Sequence, residues 1–133
     1  MNSVLLDTNV VSILFKPEHD RFGVCLDAVS DSQPVISFMT VAELMLWPVA
    51  NNWGPFRHQT LLSHIRIYTT LYPDAATCAL WSRVTDQCRR AGRPIQTADA
   101  WIAATGLQWK LPLMTVDVGD FVAVDGLEIV PIG

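Results

Sequence analysis

Three short stretches of this chain run almost unbroken in apolar residues and then stop at a polar one. They are Val4-Leu5-Leu6 before Asp7, Pro34-Val35-Ile36-Ser37-Phe38-Met39 before Thr40, and Leu113-Met114-Thr115-Val116 before Asp117. A strand that is apolar at successive positions has both faces covered, which requires helices above and below a mostly parallel sheet. The segments between them carry the helical spacing this demands. Val10, Ile13 and Leu14 repeat up to Pro17, and Phe22, Cys25, Leu26 and Val29 mark a second helix, with a turn at 31–34. Further helices are predicted from Thr40, over 56–66, from Pro73-Asp74 to Gly92, and from Thr97, with Gly106 and Pro112 framing a connector. Trp47-Pro48 is expected to bend or shorten the Thr40 helix, and 51–55 reads as a loop. In the longest helix Ala75, Ala79, Val84 and Cys88 share one side. Additional strands are predicted at 67–71 and 127–130. The expectation is a three-layer α/β/α sandwich with a central, mostly parallel sheet, in one domain over residues 1–133.

A chain of 133 residues, half of them apolar, can bury a core without disulfide or metal staples. Its low charge content argues against disorder, and its positive mean hydropathy leaves apolar surface for a partner or a second copy. The net charge of −4 excludes a basic nucleic-acid platform, so any nucleic-acid contact must come from a local patch. Cys25, Cys78 and Cys88 are odd in number and widely spaced, as expected of reduced, mostly buried thiols in the cytoplasm. No signal peptide or bilayer-spanning run is evident. His58 and His64 lack companions at ligand spacing and read, with Arg57 and Arg66, as solvated side chains.

Four acids stand where a parallel sheet gathers function. Asp7 and Asp117 end predicted strands, while Glu43 and Asp99 open predicted helices. Strand ends and helix starts share the carboxyl edge of such a sheet, so all four can face one crevice. Two of them have a structural alternative. Asp99 can complement the helix dipole, and Glu43 sits at capping-box spacing from Thr40. Two carboxylates 4 Å apart repel by roughly 4 kcal/mol at an effective dielectric of about 20, so a cluster needs protons or cations. Oxygen donors without Cys or His select Mg²⁺ or Mn²⁺ over zinc. Such a pocket suits in-line hydrolysis of a phosphodiester, in which no protein nucleophile is needed. Thr8, Asn9 and Thr115 are placed to orient acids or water, or simply to cap and turn. Arg89, Arg90 and Arg93 are candidate RNA phosphate contacts, or solvated charge at a helix end.

The motifs Leu5-Leu6-Asp7-Thr8-Asn9, Ser37 to Thr40 leading into Ala42-Glu43-Leu44, Gly92-Arg93-Pro94-Ile95 with Ala98-Asp99-Ala100-Trp101-Ile102-Ala103-Ala104, and Thr115-Val116-Asp117-Val118-Gly119-Asp120-Phe121 resemble, in order, those of PIN-domain ribonucleases. More narrowly they resemble the VapC-type toxins of bacterial toxin-antitoxin pairs. The resemblance implies a Mg²⁺- or Mn²⁺-dependent endoribonuclease, commonly homodimeric, held in check by a small cognate antitoxin whose tail enters the acidic pocket. By motif, Asp7 and Asp99 become principal metal ligands and Glu43 the third acid. For the fourth acid Asp117 is preferred to Asp120, because a strand terminus fixes a side chain better than a turn. Trp47 departs from the family, which often carries a small glycine there, and implies a narrower groove.

Two other classes begin from the same acids. A phosphotransferase of the haloacid-dehalogenase type wants a second acid two residues after the first, where this chain has Asn9, and a late lysine, where it has only Lys16 and Lys110. A non-enzymatic interaction module would use the same acids merely as caps.

Overall fold

The structure is a computed structural model and describes residues 2–132, so the first and last positions of the expected 1–133 domain lie outside it. Its elements are β1 (Asn2–Leu6), α1 (Thr8–Leu14), α2 (Phe22–Val29), β2 (Ser32–Ser37), α3 (Phe38–Ala50), α4 (Pro55–Ile65), β3 (Thr69–Leu71), α5 (Ala75–Arg90), α6 (Thr97–Trp109), β4 (Leu113–Thr115) and β5 (Ile129–Pro131). A single 3₁₀ turn, Val118–Asp120, follows β4. The five strands lie in the order β3-β2-β1-β4-β5, and every neighbouring pair is parallel. β1 is the central strand, which is why Leu5 and Leu6 are both fully buried.

Strand side chains alternate between two cores. Val4, Leu6, Ile36 and Met114 pack with Val10, Leu44 and Leu61 beneath the first four helices. Leu5, Val35 and Leu113 pack with Val84, Ile102 and Ala103 under α5 and α6. The three-layer sandwich is therefore as expected, with a sheet that is wholly parallel.

Several boundaries differ from the sequence reading. α3 begins at Phe38, because the Ser37 hydroxyl accepts the Met39 N–H at 3.0 Å and caps it. Thr40 is thus inside the helix, and Glu43 lies in its second turn with no capping duty. Pro48 neither ends nor shortens α3; it is buried within it, and the helix closes when the backbone N–H and side-chain amide of Asn51 both donate to the Trp47 carbonyl. β2 starts at Ser32, inside the expected turn. On α5 the buried positions are Thr77, Val84 and Cys88, whereas Ala75 and Ala79 are exposed. Gln96 rather than Thr97 stands at the N-cap of α6, without a side-chain capping bond, and the helix runs straight through Gly106 to Trp109. That glycine serves close packing: a Cβ there would meet Leu127 Cδ1 at 2.9 Å and the Leu111 carbonyl at 3.3 Å.

His64 is not solvated. It is half-buried, shares a hydrogen bond with the Tyr68 hydroxyl at 3.0 Å and leans on Phe15, and burial depresses its pKa. Cys25 and Cys88 are buried and Cys78 is exposed, all as free thiols. No helix among the described residues is long and apolar enough to cross a membrane.

Candidate active site

The carboxyl edge of β1 delivers Asp7 into the gap between β1 and β4. Its backbone is extended, so it caps α1: Oδ1 accepts the Thr8 N–H at 2.8 Å. Oδ2 accepts the hydroxyl of Thr115, the last residue of β4, at 2.8 Å. The same Thr115 oxygen accepts the Asp117 N–H at 3.0 Å, so one buried hydroxyl ties two acids together. Asp7 is only 5% exposed. Burial pushes its pKa up to about 6, with the charges of Glu43 and Asp117 adding to the rise and the hydrogen bonds from Thr115 and Thr8 opposing it.

Glu43 reaches the same place from α3. Thr8 donates its hydroxyl proton to Oε1 at 2.7 Å and meets the Thr40 hydroxyl at 2.8 Å. With the Thr8 proton committed to the carboxylate, Thr40 is the donor in the second contact. The three side chains form a relay that fixes Glu43.

Asp99 occupies the third position of α6, where the helix dipole alone would lower its pKa. Instead the pKa is raised to about 7, first by burial and then by the charges of Asp7, Asp120, Glu43 and Asp117. Two residues on, Trp101 is wedged between Phe38 of α3 at 5.5 Å and Trp81 of α5 at 5.3 Å, which fixes this end of α6.

Asp117 stands two residues beyond β4 and is exposed, yet it is held: its Oδ2 accepts the Asn9 amide at 2.8 Å. The other amide atom, Asn9 Oδ1, is buried and without a hydrogen-bond partner. Together Asp7, Thr8, Asn9, Ser12, Glu43, Trp47, Asp99, Asp117 and Asp120 line one cleft of ≈ 300 Å³. Sequence reasoning missed Ser12, although it lies one helical turn after Thr8, and misassigned Thr40 to a cap.

The arginine cluster is split. Arg89 and Arg90 both bind Asp86, one turn back on α5, and line neither the acidic cleft nor its neighbour. Arg93 alone lies beside the site. It lines an adjoining cleft of ≈ 360 Å³, which shares Asp99 and Asp120 with the first. Neither Lys16 nor Lys110 lines the acidic cleft, which removes the lysine that a dehalogenase-type phosphotransferase would need there.

The donors suit a hard divalent cation. They are all oxygens, Asp7 and Asp99 stay partly protonated near neutrality when no cation offsets their neighbours, and Asn9 Oδ1 is an unused acceptor. No group of three Asp, Glu, His or Cys side chains among the described residues is arranged as a ready metal cage.

An acidic cleft at the carboxyl edge of an all-parallel sheet defines the class, and residues 4–127 match the PIN domain: the chain belongs to the PIN-domain family. Within it, the chain is 30% identical to Toxin FitB of Neisseria gonorrhoeae over 132 residues, covering 92% of this chain and 93% of the toxin. It is 29% identical to Ribonuclease VapC1 of Haemophilus influenzae, covering 93% of both. The crystal structure of FitAcB from Neisseria gonorrhoeae superposes with a TM-score of 0.79 at 31% identity, covering 96% of this chain and 97% of that one.

Proposed function

We propose that this chain is a divalent-metal-dependent endoribonuclease and the toxin of a toxin-antitoxin pair. The observation that carries the reading is the convergence of Asp7, Glu43, Asp99 and Asp117, from four separate segments, on one cleft. Relatives named as a toxin and as a ribonuclease, at near full-length coverage, support it.

Asp7 and Asp99 would be the principal ligands of Mg²⁺ or Mn²⁺, with Glu43 and Asp117 completing the acidic set. When bound, the ion supplies a more acidic water and charge to offset the phosphate. The chain's own residues supply position. Thr115 fixes Asp7, the Thr40–Thr8 relay fixes Glu43, and Asn9 fixes Asp117 in preference to the freer Asp120. With Oε1 engaged by Thr8, the second carboxylate oxygen of Glu43 is available to take a proton from the attacking water. Water oxygen then bonds to phosphorus as the bond to the leaving ribose oxygen breaks, that oxygen taking a proton from solvent in the open cleft, with no covalent enzyme intermediate. Arg93, in the adjoining cleft, holds a neighbouring phosphate; Arg89 and Arg90 have no part in this.

Exposed apolar side chains on α3 and α4, Leu46 at 60%, Val49 at 70% and Phe56 at 87%, support a homodimer and a small antitoxin as partners of the chain in the cytoplasm. The decisive experiment is Asp99→Asn. Cleavage of RNA by the purified chain is expected to need Mg²⁺ or Mn²⁺, to stop with chelator, and to fall at least about a hundredfold in the variant. Chelator-insensitive cleavage at the wild-type rate by Asp99→Asn would overturn the assignment.

A further inference from the structure

We infer that the recess walled by Lys16, Trp47, Trp53 and Arg57 is a phosphate-gripping subsite for the single-stranded RNA that extends from the acidic cleft on the side away from Arg93. The inference rests on the nuclease reading above and extends it to how substrate is held. The recess measures ≈ 530 Å³ and is also lined by Asn51. Trp47 lines both it and the acidic cleft, so the two adjoin across one indole. The Arg93 cleft joins the acidic cleft through Asp99 and Asp120. The three concavities therefore adjoin in a row, acidic in the middle and cationic at either end.

The cations at this end are mounted rather than free. The Arg57 guanidinium carbon lies 3.8 Å over the Trp53 ring, and Lys16 Nζ lies 4.9 Å over the Trp47 ring. The indoles are themselves fixed: they meet at 6.3 Å and Phe15 stacks on Trp53 at 6.2 Å, while the backbone N–H of Trp53 donates to the Pro48 carbonyl at 2.9 Å and holds the loop that carries it. No carboxylate among the described residues is in salt-bridge reach of either cation, in contrast to Arg89 and Arg90. A guanidinium stacked on an indole keeps its N–H fork for a phosphate. An acidic centre in a chain of net charge −4 repels RNA. Local cations beside it must offset that repulsion, and an anionic strand satisfies them where an apolar partner does not.

The test uses the full chain carrying Asp99→Asn, so that RNA binds without being cut, and a short, unstructured, fluorescein-labelled oligoribonucleotide. Adding Lys16→Gln with Arg57→Gln is expected to weaken binding about tenfold and to reduce the slope of log K against log salt by about 1.4, from about 0.7 per phosphate contact on a single strand. Arg66→Gln with Lys110→Gln removes equal charge from residues that precede strands, on the opposite rim, and is expected to change neither. The subsite is refuted if the Lys16/Arg57 pair leaves affinity and slope unchanged, or if the control pair weakens binding equally. It is also refuted if a polyglutamate peptide competes as well as RNA and with the same dependence on Lys16 and Arg57, which would assign the recess to an acidic protein segment. Loss of cleavage in Asp99→Asn is scored separately, so the subsite can fail while the nuclease stands.

Discussion

Asp99→Asn should make the metal-free protein more stable, and only above mildly acidic pH. Folding raises the Asp99 pKa from 3.8 to about 7, chiefly through burial and then through the charges of Asp7, Asp120, Glu43 and Asp117. Below pH 3.8 the carboxyl is protonated whether the chain is folded or not, and the variant has no advantage. Between there and about pH 7 the unfolded chain loses the proton while the folded chain keeps it, so wild-type stability falls as pH rises. Above pH 7 the penalty is complete. Its full value is about 4 kcal/mol, and about 2 kcal/mol remains after discounting for the water that reaches the open side of the cleft. In thermal unfolding with chelator, the variant should melt roughly 6–10 °C above wild type at pH 8.5 and together with it near pH 4. Mg²⁺ should then reverse the order, since an ion at about a hundredfold over its Kd adds about 2.7 kcal/mol to wild type alone. A metal-free variant no more stable than wild type at pH 8.5, or a gap equal at both pH values, would show that the acids do not strain one another.

Thr115→Val removes the donor to Asp7 and the acceptor for the Asp117 N–H. It should cost about 2–3 kcal/mol in urea unfolding and move the acid limb of the pH–rate profile upward, because that hydrogen bond holds the Asp7 pKa down. Thr8→Val leaves Glu43 without its aligning donor, and kcat should drop about tenfold with stability changed by no more than about 2 kcal/mol; an unaltered kcat would mean that the Thr40–Thr8 relay is idle. Gly106→Ala drives a methyl onto Leu127 and the Leu111 carbonyl, and should lower stability by about 1–3 kcal/mol by the same urea measurement.

The strands and the acids were legible for one reason and the helix starts obscure for another. Val4-Leu5-Leu6 halts at Asp7, so strand end and acid are marked by the same change of polarity. Between β2 and α3 polarity gives no mark, because Phe38 and Met39 continue the apolar run; the capping Ser37 is hidden inside it, and Thr40 drew the boundary too late. Pro48 misled because it stands in the last turn of α3, where the helix forgoes only the one N–H that would have met the Leu44 carbonyl. Asp86 could have been used to set Arg89 and Arg90 aside, since it stands three and four residues before them. Thr8 as the bond between Glu43 and Thr40 had no sequence signal, because that contact depends on how α1 and α3 meet.

The central position of β1 has a consequence for synthesis. Asp7 is made at the end of the first strand, but its second support, Thr115, lies on a strand made 108 residues later. A ribosome-bound chain extended only through α6 already carries Asp7, Glu43 and Asp99, yet it lacks both the β4 edge that steadies Asp7 and the carboxylate of Asp117. On the nuclease reading proposed above, the acidic centre is assembled only once β4 and Asp117 have been made, and a nascent chain that stops short of them leaves the RNA around it uncut.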